Sequence, residues 1–212
     1  MDKIIVLSTA YLPPIQYISK FIPDGKVLIE DDENYTKQTY RNRCLIAGPN
    51  GIQSLIVPVE KGSFHKTHIR DIRVDYQTRW VDMHKRAFDA AYSSSPFYEY
   101  YIDELTRVIE NKPGFLLDLN TGLLELLLKL LSIDRPFSFT EKYIAHGDEK
   151  GFRDYRDRIH PKKSVADPLF SAIPYDQVFS EKYGFLPNLS VVDLLFNTGP
   201  DAGLYLEKCI KR

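Results

Sequence analysis

Cysteine is scarce in this chain. Cys44 and Cys209 are the only two in 212 residues, and they stand at opposite ends. No CxxC pair or Cys/His ligand spacing accompanies them, so a zinc site is not expected. They read as reduced thiols of a cytoplasmic protein. An excess of either charge is also lacking, with 28 basic residues against 29 acidic. That balance argues against a broad nucleic-acid surface and leaves room only for a local basic pocket. Lys3 precedes a short apolar run with no cleavage pattern, so no secretory signal is read. The leucine-dense stretch from Leu116 to Leu131 is interrupted by Asp118, Asn120, Glu125 and Lys129. A bilayer span needs about twenty mostly apolar residues, and no membrane insertion is expected.

Catalytic and cofactor motifs are missing too. There is no GxxxxGK[ST] loop and no GxGxxG, which disfavours P-loop and Rossmann dinucleotide chemistry. Ser93-Ser94-Ser95 has no GxSxG context and reads as a helix terminus. His65 is the first histidine, so the first loop lacks the histidines with which nucleotidylyltransferases grip phosphate. No internal repeat or low-complexity tract is present.

What is present is a strand–loop–helix–strand opening. Ile4 to Ser8 is an apolar run, Thr9 to Pro14 a turn-rich loop, Ile15 to Ile22 a helical segment and Lys26 to Glu30 a second strand. This is the βαβ unit of a parallel sheet, where ligands usually sit beyond the carboxyl ends of the strands. A hairpin follows, with Arg43–Ala47 and Gln53–Val59 flanking Gly48-Pro49-Asn50-Gly51; Asn50-Gly51 favours a tight turn. Ile69–Val74 reads as a further short strand.

From Gln77 the period turns helical, with Trp80, Met83, His84, Ala87, Phe88, Ala91 and Tyr92 on one stripe. A second helix runs from Phe97 to Glu110, and a third from Leu116 to Leu131 is apolar enough to be buried on more than one side. Phe137–Thr140 adds a strand. Residues 146–168 read as a long polar connection. Ser190 caps a helix over Val191–Asn197, and a last helix starts at Asp201. The expected fold is α/β, with mixed α+β as the alternative, in a single domain over residues 1–212. It has a βαβ-like unit and hairpin first, a helical middle and helices at the end.

Several residues carry candidate chemistry. Asp31 and Asp32 after a strand offer paired carboxylates for catalysis, a cation or sugar hydroxyls; a solvated turn is the plain alternative. Lys37, Arg41 and Arg43 lie beside Tyr35, Tyr40 and Asn42, and guanidinium forks with tyrosine faces suit phosphate or carboxylate. The plain alternative is an edge strand carrying charges. If that strand continues through Arg41, then Arg41 and Arg43 share one face. His84 on an apolar stripe reads as a general base or as a hydrogen-bonded core histidine. His65 and His68 have helical metal spacing without a third ligand, and His160 reads as a lid or solvent-exposed residue. Asn188, Asp193 and Asn197 frame the last helices, with Asn188 at a pocket wall. No metal is assigned, and no cofactor is identified.

This order of features resembles the WbqC-like protein family. The resemblance rests on Tyr11-Leu12-Pro13 and Tyr17 after the first strand, Asp31-Asp32 near Tyr35 and Lys37, and Arg41-Asn42-Arg43. It continues through Leu55–Val59, Trp80 with His84, Phe97-Tyr98 and the closing Leu189–Gly199. Members often carry Gln-Pro where this chain has Thr9-Ala10. The resemblance implies a role in bacterial surface-polysaccharide (O-antigen type) precursor biosynthesis, with a glycyl or other acyl group attached to an amino sugar or sugar nucleotide. It also makes Tyr11 and Tyr17 candidate substrate contacts and a small molecule the expected partner. A nucleotidylyltransferase-like enzyme and a non-catalytic scaffold are the alternative readings.

Overall fold

Two short runs with scarcely a polar residue, Ile4–Ser8 and Val27–Glu30, have the composition of strands covered on both faces. The computed structural model, which describes residues 4–60, 67–147, 151–163 and 165–211, pairs them in parallel as β1 (Ile4–Ser8) and β2 (Val27–Glu30). Between them Pro14 leads into α1 (Ile15–Ile18), extended by a 3₁₀ turn at Ser19–Phe21. This is the expected βαβ unit. The hairpin follows as β3 (Arg43–Gly48) and β4 (Gly51–Ile56), paired antiparallel. In its turn only Gly51 takes a positive φ, +100°, a backbone region glycine enters without steric cost.

Three helices form the middle: α2 (Trp80–Tyr92), α3 (Tyr98–Glu110) and α4 (Leu116–Leu130). Seven leucines of α4 are buried, which is why its polar face shrinks to a few residues. Strand β5 (Phe137–Phe139) then pairs with β2, and β6 (Phe152–Asp154) pairs with β1. The sheet is therefore four parallel strands in the order β5-β2-β1-β6. Helices α5 (Ser180–Tyr183), α6 (Val191–Thr198) and α7 (Ala202–Lys208) complete the chain. Mixed α/β content with a parallel sheet and a separate antiparallel hairpin agrees with the expected class.

The structure differs from the sequence reading in four places. Strand β6 lies inside the stretch read as a connection; three residues are too few to show a period, and β1 supplies its partners from far along the chain. Ile69–Val74 is not a strand but a 3₁₀ turn at Ile69–Asp71 followed by single bridges at Arg73 and Val74. Arg41 belongs to a 3₁₀ turn, Tyr40–Asn42, so Arg41 and Arg43 do not share a strand face. Ser190 stands at the N-cap of α6 but makes no capping bond; its hydroxyl donates to the Leu12 carbonyl at 2.7 Å. It thereby ties α6 to the first loop rather than to its own amides.

Candidate functional site

Parallel strands end together, and here they end in polar residues. Ser8 closes β1, Glu30 closes β2, Thr140 follows β5 and Asp154 closes β6. All four are buried. An uncompensated charge in such a place is costly, so each must be paired. Two arginines do the pairing. Arg156 donates through Nε and Nη2 to Asp154 at 2.9 and 2.6 Å, and through Nη1 to Glu30 at 3.3 Å. Its remaining donors reach the carbonyls of Ile144 and Ala145 at 2.8 and 3.1 Å. All five of its N–H groups are thus occupied. Glu30 also accepts from the Thr140 hydroxyl and the Ile144 amide. Burial works to raise the Asp154 carboxyl, and the bonds from Arg156 overcome it and hold the carboxyl below its usual range.

Arg41 is built differently. Its Nε and Nη2 grip both oxygens of Glu33 at 2.9 and 2.6 Å, and Nη2 also donates to the Ser8 hydroxyl at 2.8 Å. Its carbonyl accepts from Asn120 of α4 at 2.8 Å. The side chain is only 4% exposed. Among the described residues its Nη1 has no partner, and it is not among the sealed-off unpaired atoms. One corner of a rigidly held guanidinium is left over.

A cleft lies between these two arginines. Its cavity is small, about 10 Å³, room for roughly one water, and is lined by Leu7, Ser8, Thr9 and Ala10 at the end of β1, Tyr155, Arg156 and Ile159 after β6, and Thr39, Tyr40 and Arg41 with Tyr17. The chain leaves β1 for β2 on one side and later reaches β6 on the other, so the β1/β6 boundary is where strand order reverses. That is the place where open parallel sheets leave a crevice for ligands. Tyr17 donates to the Ser8 carbonyl at 2.9 Å, which fixes the cleft floor. In the chain next to the lining residues Thr39 and Ile159, Lys162 reaches Gln38 at 2.5 Å and its amide donates to His160 Nδ1 at 3.0 Å. Burial, then the charge of Lys163, lowers the His160 pKa from its ordinary value, which favours the neutral ring.

The other sequence candidates fall elsewhere. Tyr11 is buried beneath the hairpin, its hydroxyl 2.9 Å from His84 Nδ1. His84 is 5% exposed, packs edge-on against Trp80 and also bonds the Ile56 backbone. Burial pushes its pKa down to about 4. Asp32 faces solvent in part and pairs with Arg70 at 2.6 Å and with His68 at 3.2 Å, while among the described residues Asp31 has only a long contact from Thr140 at 3.5 Å. Tyr35 is buried, Lys37 is exposed, and Asn42 donates to the Val57 carbonyl at 2.9 Å. Arg43 keeps a buried Nε without a partner. Asp193 is wholly interior and accepts from Tyr92, Tyr175 and Gln177, with burial raising its pKa. Asn188 bonds Gln16, and Asn197 bonds the Asp193 carbonyl and Ser95. Of the residues proposed from sequence, Arg41 and Tyr17 line the cleft. His65 lies outside the described residues.

Glu30, Glu33, Asp154 and Arg156 were not singled out from sequence. Their signal was faint: an acidic residue closing an apolar strand, and an Asp-x-Arg pair just past Phe152. Behind the cleft, Lys20 meets Asp167 at 2.5 Å with both side chains almost fully buried, and its ammonium sits 4.6 Å from the Tyr155 ring centre. A wider groove of about 670 Å³ follows α4 and edge strand β5, but its charged residues, Glu125, Lys129, Asp134 and Arg135, are of mixed sign and none is buried. The buried polar shell at the sheet end is the better candidate site. Among the described residues, no three His, Cys, Asp or Glu side chains gather as metal ligands, and no helix is long and apolar enough to cross a membrane.

Residues 9–161 match the WbqC-like protein family. That span holds every cleft residue except Leu7 and Ser8; the closing stretch Leu189–Gly199 lies beyond it. The uncharacterised protein Rv1507c of Mycobacterium tuberculosis is 29% identical, with 99% of each chain covered. No solved structure matches the chain.

Proposed function

Because the chain belongs to the WbqC-like protein family, we propose that it is a transferase of bacterial surface-polysaccharide precursor biosynthesis, placing an acyl or aminoacyl group on an amino sugar. The observation that carries this reading is the unused Nη1 of Arg41 beside a cleft at the sheet's reversal point. Acyl transfer builds negative charge on a carbonyl oxygen as the nucleophile adds. Donors already fixed where that charge appears stabilise it without reorganising, an effect that mutagenesis elsewhere values at about 3–4 kcal/mol per donor. Glu33 and Ser8 hold Arg41 for such a role, with Tyr40 and Tyr155 beside it in the cleft lining. In this reading Arg41 touches the reacting carbonyl, and Ser8 and Glu33 position Arg41.

Incubating the protein with amino sugars, their nucleotide conjugates and activated acyl or aminoacyl donors, followed by mass spectrometry of the acceptor, tests the reading. A mass gain matching the transferred group is expected. An acceptor that binds yet stays unmodified with every donor class would replace this reading with the binding-protein one.

A further inference from the structure

The groove beside α4 and β5, about 670 Å³, falls within the roughly 300–1,000 Å³ of binding pockets. Strand β5 ends the sheet on that side, with β2 as its neighbour. Thr140 donates to the Ile29 carbonyl at 3.1 Å, so the backbone of Ser138 and Thr140 is turned toward β2. Backbone groups alternate in direction along a strand, which turns the N–H and C=O of Phe137 and Phe139 away from the sheet. Among the described residues these groups have no partner. Both phenyl rings line the groove with Leu128, Ile133 and Pro136, and Phe139 is 38% exposed.

The charges of the groove are only partly spent. Arg135 binds Asp24 at 2.9 Å and the Gly25 carbonyl at 3.1 Å. Glu125, Lys129 and Asp134 have no partner among the described residues, although Glu125 and Lys129 stand one turn apart on α4. Two carboxylates against one ammonium leave a negative charge in excess. A strand edge is met by donors and acceptors that recur every second residue, about 6.5 Å apart, and a peptide backbone carries them at that interval. A second copy of the chain fits poorly. A two-fold contact sets the same surface against itself, and a groove offers no convex counterpart.

We propose that this groove docks an extended peptide segment of a partner protein, added to the sheet as a further strand beside β5. Main-chain bonds to Phe137 and Phe139 hold it, as in other cases of strand addition. Apolar side chains at alternate positions cover the two phenyl rings, and a lysine or arginine answers Glu125 and Asp134. The groove is separate from the sheet end and its buried arginines, so the docking does not depend on the transferase reading.

Selection of random heptapeptides displayed on phage against the full chain is the test, followed by fluorescence anisotropy of the enriched peptides. Two variants accompany it. Phe139→Pro removes an outward N–H and a ring but leaves the bonds to β2, since proline is tolerated where a strand's N–H faces away from its sheet. Glu125→Lys reverses an exposed charge on α4 and spares the strand. Circular dichroism reports folding of each. The expected result is enriched peptides with alternate apolar residues and a lysine or arginine, their binding weakened about tenfold or more by each variant. No enrichment, or enriched peptides that bind both variants as tightly as wild type, would overturn the proposal. So would a concentration-dependent dimer in sedimentation velocity that Phe139→Pro dissolves, which would give the edge to a second copy. Should Phe139→Pro not fold, N-methylation of alternate amides in the enriched peptide replaces it. Loss of binding is then expected, and unchanged binding would overturn the strand pairing.

Discussion

At the scale of single residues, the two buried arginines separate structure from chemistry. Both line one cleft, yet one spends every donor on the protein and the other keeps a corner free. Arg156→Met would strand Glu30 and Asp154, and removing one member of a buried ion pair costs about 3–5 kcal/mol. Chemical denaturation should show a loss of that size, and a change below about 1 kcal/mol would mean the network is not holding the sheet end. His84 makes a prediction of its own. Its imidazole is held near 4 against an ordinary 6.5. Between those values the unfolded chain takes up a proton that the folded chain refuses. Stability present in full above pH 6.5 therefore falls as the pH drops toward 4, by on the order of 3 kcal/mol. His84→Gln should flatten the dependence of the urea midpoint between pH 7 and 4.5; an unchanged slope would assign it to other groups.

Among the elements, the clearest constraint is at the end of α6. Gly199 takes φ +55°, and a Cβ built there would lie 2.5 Å from the Phe97 ring. Left-handed backbone and overpacking each cost about 1–3 kcal/mol. Gly199→Ala should lower stability by about 2–4 kcal/mol, with part of the loss recovered by adding Phe97→Leu. A double variant no better than the single one would place the strain in the backbone alone. Elements with dense local pattern were legible from sequence: β1, α1 and β2, the hairpin around Asn50-Gly51, and the three helices of the middle. The sequence also put a ligand region past the end of β1, where the cleft lies. Strand β6 was not legible, since its strand character comes from β1. Nor was the difference between Arg41 and Arg156, because which donors remain free depends on Glu33 and Ser8 reaching them through the fold. His84 was ambiguous because an apolar stripe suits a core histidine and a shielded base equally well.

For the whole molecule, the Lys20–Asp167 pair joins the first helical segment to the chain that follows the cleft. Gln16 bonds the same carboxylate at 3.0 Å and joins it to Asn188. Asp167→Ala leaves the Lys20 ammonium buried without its counter-ion. The segment carrying Val165–Phe170 should then exchange amide hydrogens faster than in wild type while α4 and α6 keep their protection. Uniform loosening of the molecule would show that the clasp supports the whole core.

The pairing of β1 with β6 has a consequence for how the protein is made. Its partners, such as Ile4 and Phe152, lie roughly 150 residues apart. At about 5–20 residues per second, a ribosome takes on the order of ten to thirty seconds to deliver the second after the first. Throughout that interval one edge of β1 is an open template for foreign strands, the kind of exposure that draws chaperones or seeds aggregates. The cleft has no far wall until the wait is over, so a truncated or stalled product carries Arg41 without a pocket. The cleft is complete only after most of the chain has been synthesised.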